Sequence, residues 1–132
     1  MAKIASHKEL TVWKNAMDAA MRIFEVTRSF PVEEKYSMVD QIRRSSRSVA
    51  ANLAEAWRRR RYEAAFPANL NDAEAEASEV QTGIERAFRC GSINQETAPE
   101  LDETYEPIIG PIVTMIRQPG TWTVDRRSGG ER

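Results

Sequence analysis

The chain has 132 residues, a mass of 15.0 kDa and a hydrophobic fraction of 41%, which suffices for one modest core and makes a second core unlikely. Its net charge is −1 and its only cysteine is Cys90, so an intramolecular disulfide is excluded and we expect a cytoplasmic protein. No apolar run approaches the roughly 20 residues of a membrane span, and the first residues lack the apolar region of a secretory signal.

The first predicted helix covers about residues 8–29. Apolar residues recur at helical spacing in two adjacent rows, which predicts a wide buried stripe that contacts two neighbouring helices. The rows consist of Leu10, Trp13, Met17, Ala20 and Phe24, and of Val12, Ala16, Ala19, Ile23 and Val26. Pro31 ends this helix, because the residue before a proline is biased away from the helical conformation.

The second and third predicted helices cover residues 33–61 and 63–90. The second has a core row formed by Ile42, Ser46, Val49 and Leu53, and the third has an apolar row that runs from Phe66 to Phe88. Pro67 must lie in the first turn of the third helix, where a missing N–H costs little. Gly91 follows that helix as a plausible C-cap.

The fourth predicted helix covers residues 97–117 and contains Pro107 and Pro111, which predict a kink or a restart. Residues 118–132 have no apolar periodicity and are predicted to form a flexible tail. Four amphipathic helices with short connections, and no strand pattern, predict an all-α, antiparallel up-and-down four-helix bundle over residues 1–117. A three-helix core with a loosely packed fourth helix is the alternative.

Charge is distributed unevenly along the chain. Residues 36–61 carry a net charge of +5 and residues 62–106 a net charge of −9. The positive segment holds seven arginines: Arg43, Arg44, Arg47, Arg58, Arg59, Arg60 and Arg61. Guanidinium groups bind phosphates in bidentate geometry, which makes these arginines candidates for nucleic-acid binding. Pairing within the chain with Asp72, Glu76 and Glu79 of the third helix is the alternative, and charge alone slightly favours it.

Another face of the second helix carries small, amide and acidic side chains where exposed helices usually carry lysine and glutamate. Its members are Gln41, Ser45, Ser48, Asn52 and Glu55. Small side chains let another helix approach closely, and the polar groups can satisfy one another across the contact. We expect this face to be packed and to mediate self-association in a dimer or a closed ring. A slightly polar exposed stripe is the alternative.

The sequence contains no pattern that indicates catalysis or a cofactor. The only histidine, His7, precedes the first helix, which excludes the glutamate and histidine sites of di-iron bundles. The glycines are scattered, so no phosphate-binding loop is present. Ser45, Ser46 and Ser48 have no histidine on their own helix. We therefore expect no enzymatic activity, no metal and no cofactor.

The second helix resembles the four-helix-bundle proteins encoded in intervening sequences of bacterial 23S ribosomal RNA genes. The resemblance is carried by FPVEEKYSMVDQIRRSSRSVAANLAEAWRRRRYEAAF, residues 30–66, continues through NLNDAEAEASEVQ and covers about residues 7–117. It implies a compact antiparallel bundle, typically a homopentameric ring, without enzymatic activity. The segment TGIERAFRCGSI and the prolines at 107 and 111 depart from the family pattern, so the end of the third helix and the fourth helix are expected to pack differently.

A similar bundle occurs in the accessory protein of diversity-generating retroelements, a basic pentamer that binds nucleic acid and a reverse transcriptase. This similarity favours RNA or DNA, and secondarily a nucleic-acid enzyme, as partners of the arginines named above, although a pI of 5.9 makes this chain acidic. Two hypotheses follow. The first is a homo-oligomeric bundle that binds RNA or another nucleic acid through the second helix. The second is a structural or protein-interaction module with no nucleic-acid ligand.

Overall fold

The computed structural model describes residues 4–62 and 64–122, and over these residues the chain is all-helical, with no strand. In chain order the helices are α1 (Thr11–Thr27), α2 (Asp40–Arg58), α3 (Ala65–Arg89), α4 (Thr97–Glu103), α5 (Glu106–Arg117) and α6 (Pro119–Trp122). A 3-10 turn at His7–Glu9 precedes α1. A 3-10 turn at Val32–Glu34 and a π-helical turn at Lys35–Val39 lead into α2. The predicted all-α class is confirmed.

Helix α1 is shorter than the predicted residues 8–29, and one of its two apolar rows is only partly buried. The buried row holds Val12, Ala16, Ala19 and Ile23. In the other row Met17 is 39% exposed, so the prediction that both rows are buried is wrong at this position. The row of Val12, Ala16, Ala19 and Ile23 is buried against the helices that contact α1, which are α2, α4 and α5, and Met17 lies beside this row.

Helices α2 and α3 form the most extensive helix–helix contact of the fold. Regular helix begins at Asp40 rather than at the predicted residue 33, because the chain first passes through the π-helical turn that buries Met38 and Val39. The helices approach closely at Gly83 of α3, where an added Cβ would lie 3.1 Å from Cδ1 of Ile42. A glycine at this position therefore sets the separation of α2 and α3.

Helix α3 begins at Ala65 and ends at Arg89, close to the predicted residues 63–90. Pro67 lies in its first turn, as expected. The predicted apolar row is buried from Phe66 to Ile84, but Phe88 is 39% exposed. The prediction of a buried Phe88 is wrong, because the buried face of the last turn runs through Ile84 and Ala87, and Phe88 lies at the edge of that face.

The predicted fourth helix is two helices. The segment α4 ends at Glu103 and α5 begins at Glu106, with Pro107 in its first turn and Pro111 inside it. Tyr105, which lies at the break, is fully buried. The predicted restart is therefore present, and it places an aromatic ring in the core at the point where the helix is interrupted.

The segment predicted as a flexible tail is partly helical. Residues Pro119–Trp122 form α6, and Trp122 is partly buried against the core. The prediction of a flexible tail is therefore wrong for these four residues, which are too few to show a helical period. The remainder of that prediction, residues 123–132, lies outside the described residues.

One hydrophobic core joins the helices. Helix α1 contacts α2 and α5, α2 also contacts α3, and α3 contacts α4 and α5. Buried residues from all five of these helices belong to a single cluster. Within residues 4–62 and 64–122, no helix is long and apolar enough to cross a membrane.

Candidate nucleic-acid interface

Four consecutive arginines follow the last buried turn of α2 and are called the arginine cluster: Arg58, Arg59, Arg60 and Arg61. Arg58, Arg59 and Arg61 are exposed, whereas Arg60 is half-buried. The guanidinium of Arg60 lies 3.7 Å from the ring centroid of Trp57, and its Nη1 donates a hydrogen bond of 2.7 Å to the Trp57 carbonyl. Trp57 is itself buried, so the core holds one member of the arginine cluster in a fixed position.

The arginines of this cluster repel one another. Burial lowers the pKa of Arg60 below its usual value, and the charges of Arg61 and Arg58 lower it further. Within the described part of the chain, no ion pair involves any residue of the arginine cluster. The carbonyl end of α2 offsets part of this repulsion, because a helix carries a partial negative charge at its C-terminus. The end of α2 is thus a concentrated positive surface.

The three arginines near the start of α2 have different environments. Arg43 folds back onto α1, where its Nε donates to Oγ1 of Thr27 at 2.8 Å and its guanidinium lies 4.6 Å from the ring centroid of Phe24. Arg44 pairs with Asp40 at 3.5 Å, and Arg47 is exposed. The sequence predicted one group of arginines here. In the structure Arg43 packs against α1, whereas Arg44 and Arg47 are exposed.

The predicted pairing between arginines of α2 and acids of α3 is not formed. The ion pairs of residues 4–62 and 64–122 join Arg22 to Glu100, Arg28 to Glu25, Arg44 to Asp40 and Arg89 to Glu85. None of them includes Asp72, Glu76 or Glu79. This alternative is therefore wrong for the described residues, and the arginines and the acids form two separate charged surfaces.

The acidic side chains on the outer surface of α3 make it harder for one another to ionise. Partial burial raises the pKa of Glu76, and the nearby charges of Glu79 and Asp72 raise it as well, while a hydrogen bond with Ser45 opposes the shift. Adjacent carboxylates that lack a cationic partner produce this direction of shift. The outer surface of α3 is consequently negative and would repel phosphates.

The face of α2 that carries small, amide and acidic side chains contacts α3 of the same chain. Nδ2 of Asn69 donates to Oδ1 of Asn52 at 3.2 Å and to Oε2 of Glu55 at 3.1 Å. Nδ2 of Asn52 donates to the Ser48 carbonyl at 3.0 Å, and Ser45 is buried. Much of this face is thus packed within the chain, and a contact between Gln41, Ser45, Ser48, Asn52 and Glu55 and a second copy stays a prediction.

Asn69 is a member of the polar contact between α2 and α3 that sequence reasoning missed. It is a buried polar residue, 7% exposed, beside Leu70 and one turn before Ala73 in the core row of α3. An amide beside such a row needs hydrogen-bond partners, which is the signal that points to a polar contact with α2. Its two acceptors lie on the face predicted to be packed, so the residue completes that contact from the other side.

The described residues hold no cluster of three or more histidine, cysteine or acidic side chains able to bind a metal. His7 lies against Trp13, with the ring centroids 5.2 Å apart. Cys90 is exposed at the end of α3. Neither residue joins the arginine cluster.

The fold and surface define a class of small all-helical protein with separate basic and acidic surfaces. Residues 8–113 match the family described as 23S rRNA-intervening sequence protein, and the chain belongs to this family. A similar solved structure is a protein of unknown function from the S23 ribosomal protein family of Bacteroides thetaiotaomicron VPI-5482. It shares 28% identity at a TM-score of 0.73, over 80% of this chain and 95% of that chain. Comparison with curated proteins gives no match. The resemblance seen in the sequence is confirmed.

Proposed function

We propose that this protein is a non-enzymatic, homo-oligomeric helical protein that binds RNA or another nucleic acid through arginines of α2. The observation that carries the proposal is the arginine cluster, in which three side chains are exposed and the fourth is held on Trp57 with a lowered pKa. Self-repulsion of like charges costs folding free energy. Phosphates would relieve this repulsion and release counterions, which favours binding.

The arrangement suits the phosphate backbone better than a particular base sequence. Arg58, Arg59 and Arg61 are long, exposed side chains that can adapt to phosphates at different spacings, and each can bind in bidentate geometry. The acidic surface of α3 repels the same backbone. Together the two surfaces would orient a nucleic acid toward the end of α2.

For the assembly, we propose an antiparallel four-helix bundle, in which α4 and α5 together act as the fourth helix, and a ring of several copies. The order of contacts supports the bundle, since α1, α2, α3 and α5 each contact the next and α5 contacts α1. The family resemblance favours a homopentamer. Copies in a ring present their arginine clusters together, so that individually weak sites combine into stronger binding.

A structural or protein-interaction module is the second candidate, and one observation favours it. Met17 and Met21 lie one turn apart on α1 and are 39% and 54% exposed. Exposed methionines form adaptable apolar contacts, and together they would suit a protein partner or a second copy. This candidate requires no ligand at the arginine cluster.

Fluorescence anisotropy with a labelled RNA oligonucleotide tests the nucleic-acid proposal. The test variant replaces Arg58, Arg59 and Arg61 by glutamine, and the control replaces three exposed cations elsewhere, Lys8, Lys14 and Arg117. We expect the test variant to lose at least about tenfold in affinity at low salt, with a shallower salt dependence, while the control changes less. An unmodified protein without affinity at low salt, or two variants that lose equally, would contradict the proposal.

Light scattering tests the assembly separately. We expect the unmodified protein to have the mass of an oligomer, with five copies favoured. A variant with lysine at Ser48 and Asn52 is expected to dissociate, and Asn71→Lys, an exposed position on α3, is its control. If the unmodified protein is a monomer, the assembly proposal is wrong. The nucleic-acid proposal would then still be decided by the RNA titration.

A further inference from the structure

An open cleft lies between α1, α2 and the connection that joins them, apart from the arginine cluster. Its volume is about 370 Å³, within the range of about 300 to 1,000 Å³ that holds small ligands. The lining residues that matter chemically are two aromatic rings and three cations: Phe24, Phe30, Arg28, Lys35 and Arg43. No acidic side chain lines it. An aromatic and cationic lining of this kind suits a ligand that is both planar and anionic.

Arg43 is a preorganised cation in this cleft. Its Nε donates to Thr27 and one terminal nitrogen to the Phe24 carbonyl, at 2.8 and 3.4 Å, while the guanidinium stacks on the Phe24 ring. These bonds use two of the five N–H groups of an arginine. The remaining donors belong to a guanidinium that is already fixed in place, so an anion could bind it with little loss of side-chain entropy.

An unusually exposed aromatic ring lies next to a residue that lines the cleft. Tyr36 is 87% exposed and lies in the π-helical turn that leads into α2. Nζ of Lys35 is 5.5 Å from the centroid of the Tyr36 ring, and Lys35 also lines the cleft. Single π-helical turns occur frequently at functional sites. Here the turn puts an exposed aromatic ring, with Lys35 over one of its faces, beside a cationic cleft.

We propose that this cleft binds an unpaired base and its phosphate within single-stranded RNA, with Tyr36 as a stacking surface and Arg43 and Lys35 as phosphate contacts. The inference rests on the proposed function and adds a preference for single strands. Proteins that bind single-stranded nucleic acids combine a positive groove with aromatic rings on which bases stack. A duplex keeps its bases stacked inside and cannot offer them to Tyr36.

The cleft and the arginine cluster lie near opposite ends of α2. Arg43 and Arg58 are separated by about 22 Å along the helix, at about 1.5 Å per residue. One flexible strand of several nucleotides could therefore contact both. Phosphates would bind the arginine cluster regardless of strandedness, while the cleft would discriminate between paired and unpaired bases.

The experiment compares two labelled RNAs, a 12-nucleotide oligouridine and a 12-base-pair duplex, by anisotropy at low salt. The test variant is Tyr36→Ala, and Phe88→Ala is the matched control, because Phe88 is an exposed aromatic residue on α3. We expect Tyr36→Ala to weaken binding of the single strand by about 5- to 100-fold, as loss of one stacked base does, and to leave the duplex nearly unaffected. Lys35→Gln should weaken binding of the single strand less and lower its salt dependence by about one phosphate contact.

The possible failures are distinguishable. If Tyr36→Ala binds both RNAs as the unmodified protein does, while loss of the arginine cluster weakens both, the cleft proposal is overturned and the proposed function stands. Equal weakening of both RNAs by Tyr36→Ala also overturns it, because no preference for unpaired bases is then present. If the unmodified protein binds neither RNA, both proposals fail. Tyr36 is almost fully exposed, so matching thermal unfolding curves verify that the variant is folded.

Discussion

The guanidinium of Arg60 stacks on the ring of Trp57 at 3.7 Å and donates to the carbonyl of the same residue at 2.7 Å. A single side chain thus covers a buried aromatic ring and donates to the Trp57 carbonyl, which also accepts from the backbone N–H of Arg60 at 3.4 Å. The same residue stands among three like charges. Arg60 is therefore mainly structural, and its neighbours carry the charge that a ligand would meet.

This division of roles predicts different effects for adjacent arginines. Arg60→Ala should lower the free energy of unfolding by about 1 kcal/mol, because it removes the stacking and the carbonyl hydrogen bond. Arg59→Ala should change the free energy of unfolding by less than about 0.5 kcal/mol, as expected at an exposed position. It should weaken RNA binding more than Arg60→Ala does. Urea denaturation of both variants measures the difference. Equal stability of the two variants would contradict a structural role for Arg60.

The amide of Asn69 links α3 to α2. Asn69→Ala leaves Oδ1 of Asn52 and Oε2 of Glu55 without their donor, at an expected cost of about 1 to 3 kcal/mol of unfolding free energy. Asn71→Ala, two positions further along α3 and exposed, is the control and should have little effect. Chemical denaturation measures the stability of both variants. Similar midpoints for Asn69→Ala and Asn71→Ala would show that the hydrogen bonds of Asn69 do not contribute to stability.

Two glycines are predicted to respond oppositely to a side chain. At Gly83 any side chain meets Ile42, so Gly83→Leu should separate α2 from α3 and cost about 1 to 3 kcal/mol by overpacking. At Gly110 in α5 an added Cβ has no atom within 4 Å. Gly110→Ala should therefore stabilise the protein by up to about 1 kcal/mol, the gain in helix propensity. Thermal unfolding measures both, and a stabilising Gly83→Leu would refute the close approach.

The hydroxyl of Tyr105 is buried without a hydrogen-bond partner among the described residues. An unpaired buried hydroxyl costs about 1 to 3 kcal/mol relative to one in water. Tyr105→Phe removes the hydroxyl and keeps the ring, so at neutral pH we expect unchanged or increased stability. A loss of more than about 1 kcal/mol in urea denaturation would indicate that the hydroxyl has a partner.

The same residue predicts a pH dependence. Burial raises the pKa of Tyr105 in the folded state, whereas the unfolded phenol ionises near pH 10, about its unperturbed value. Above that pH the unfolded chain loses a proton that the folded chain retains, so stability falls as pH rises. The fall should be steeper for the unmodified protein than for Tyr105→Phe, as measured by urea midpoints from about pH 8 to 11. Parallel curves would contradict the burial of this phenol.

Periodicity predicted the inner faces of α2 and α3 well, because both helices carry one clear apolar row. Ile42, Val49 and Leu53 are buried as expected. It failed for Met17 and Phe88, which have helical spacing but lie at the edge of the buried face and are only partly covered. For the candidate site, the sequence predicted which arginines exist and where they lie along α2. It could not predict that Arg43 stacks on Phe24, since these residues come together only when α1 and α2 pack.

The sequence by itself determined the all-helical class, the positions of the main helices, the restart of the helix near Pro107 and the family. These properties follow from local spacing, from residues that end helices and from a distinctive stretch of chain. Tertiary structure alone decided that Asn69 completes the polar face of α2, that Arg60 rests on Trp57, and that Tyr36 stands beside a cationic cleft. The physical reason is that each of these features depends on which side chains the packed helices bring together and which they leave exposed. Helical periodicity predicts the buried face of a helix but not which other helix packs against that face.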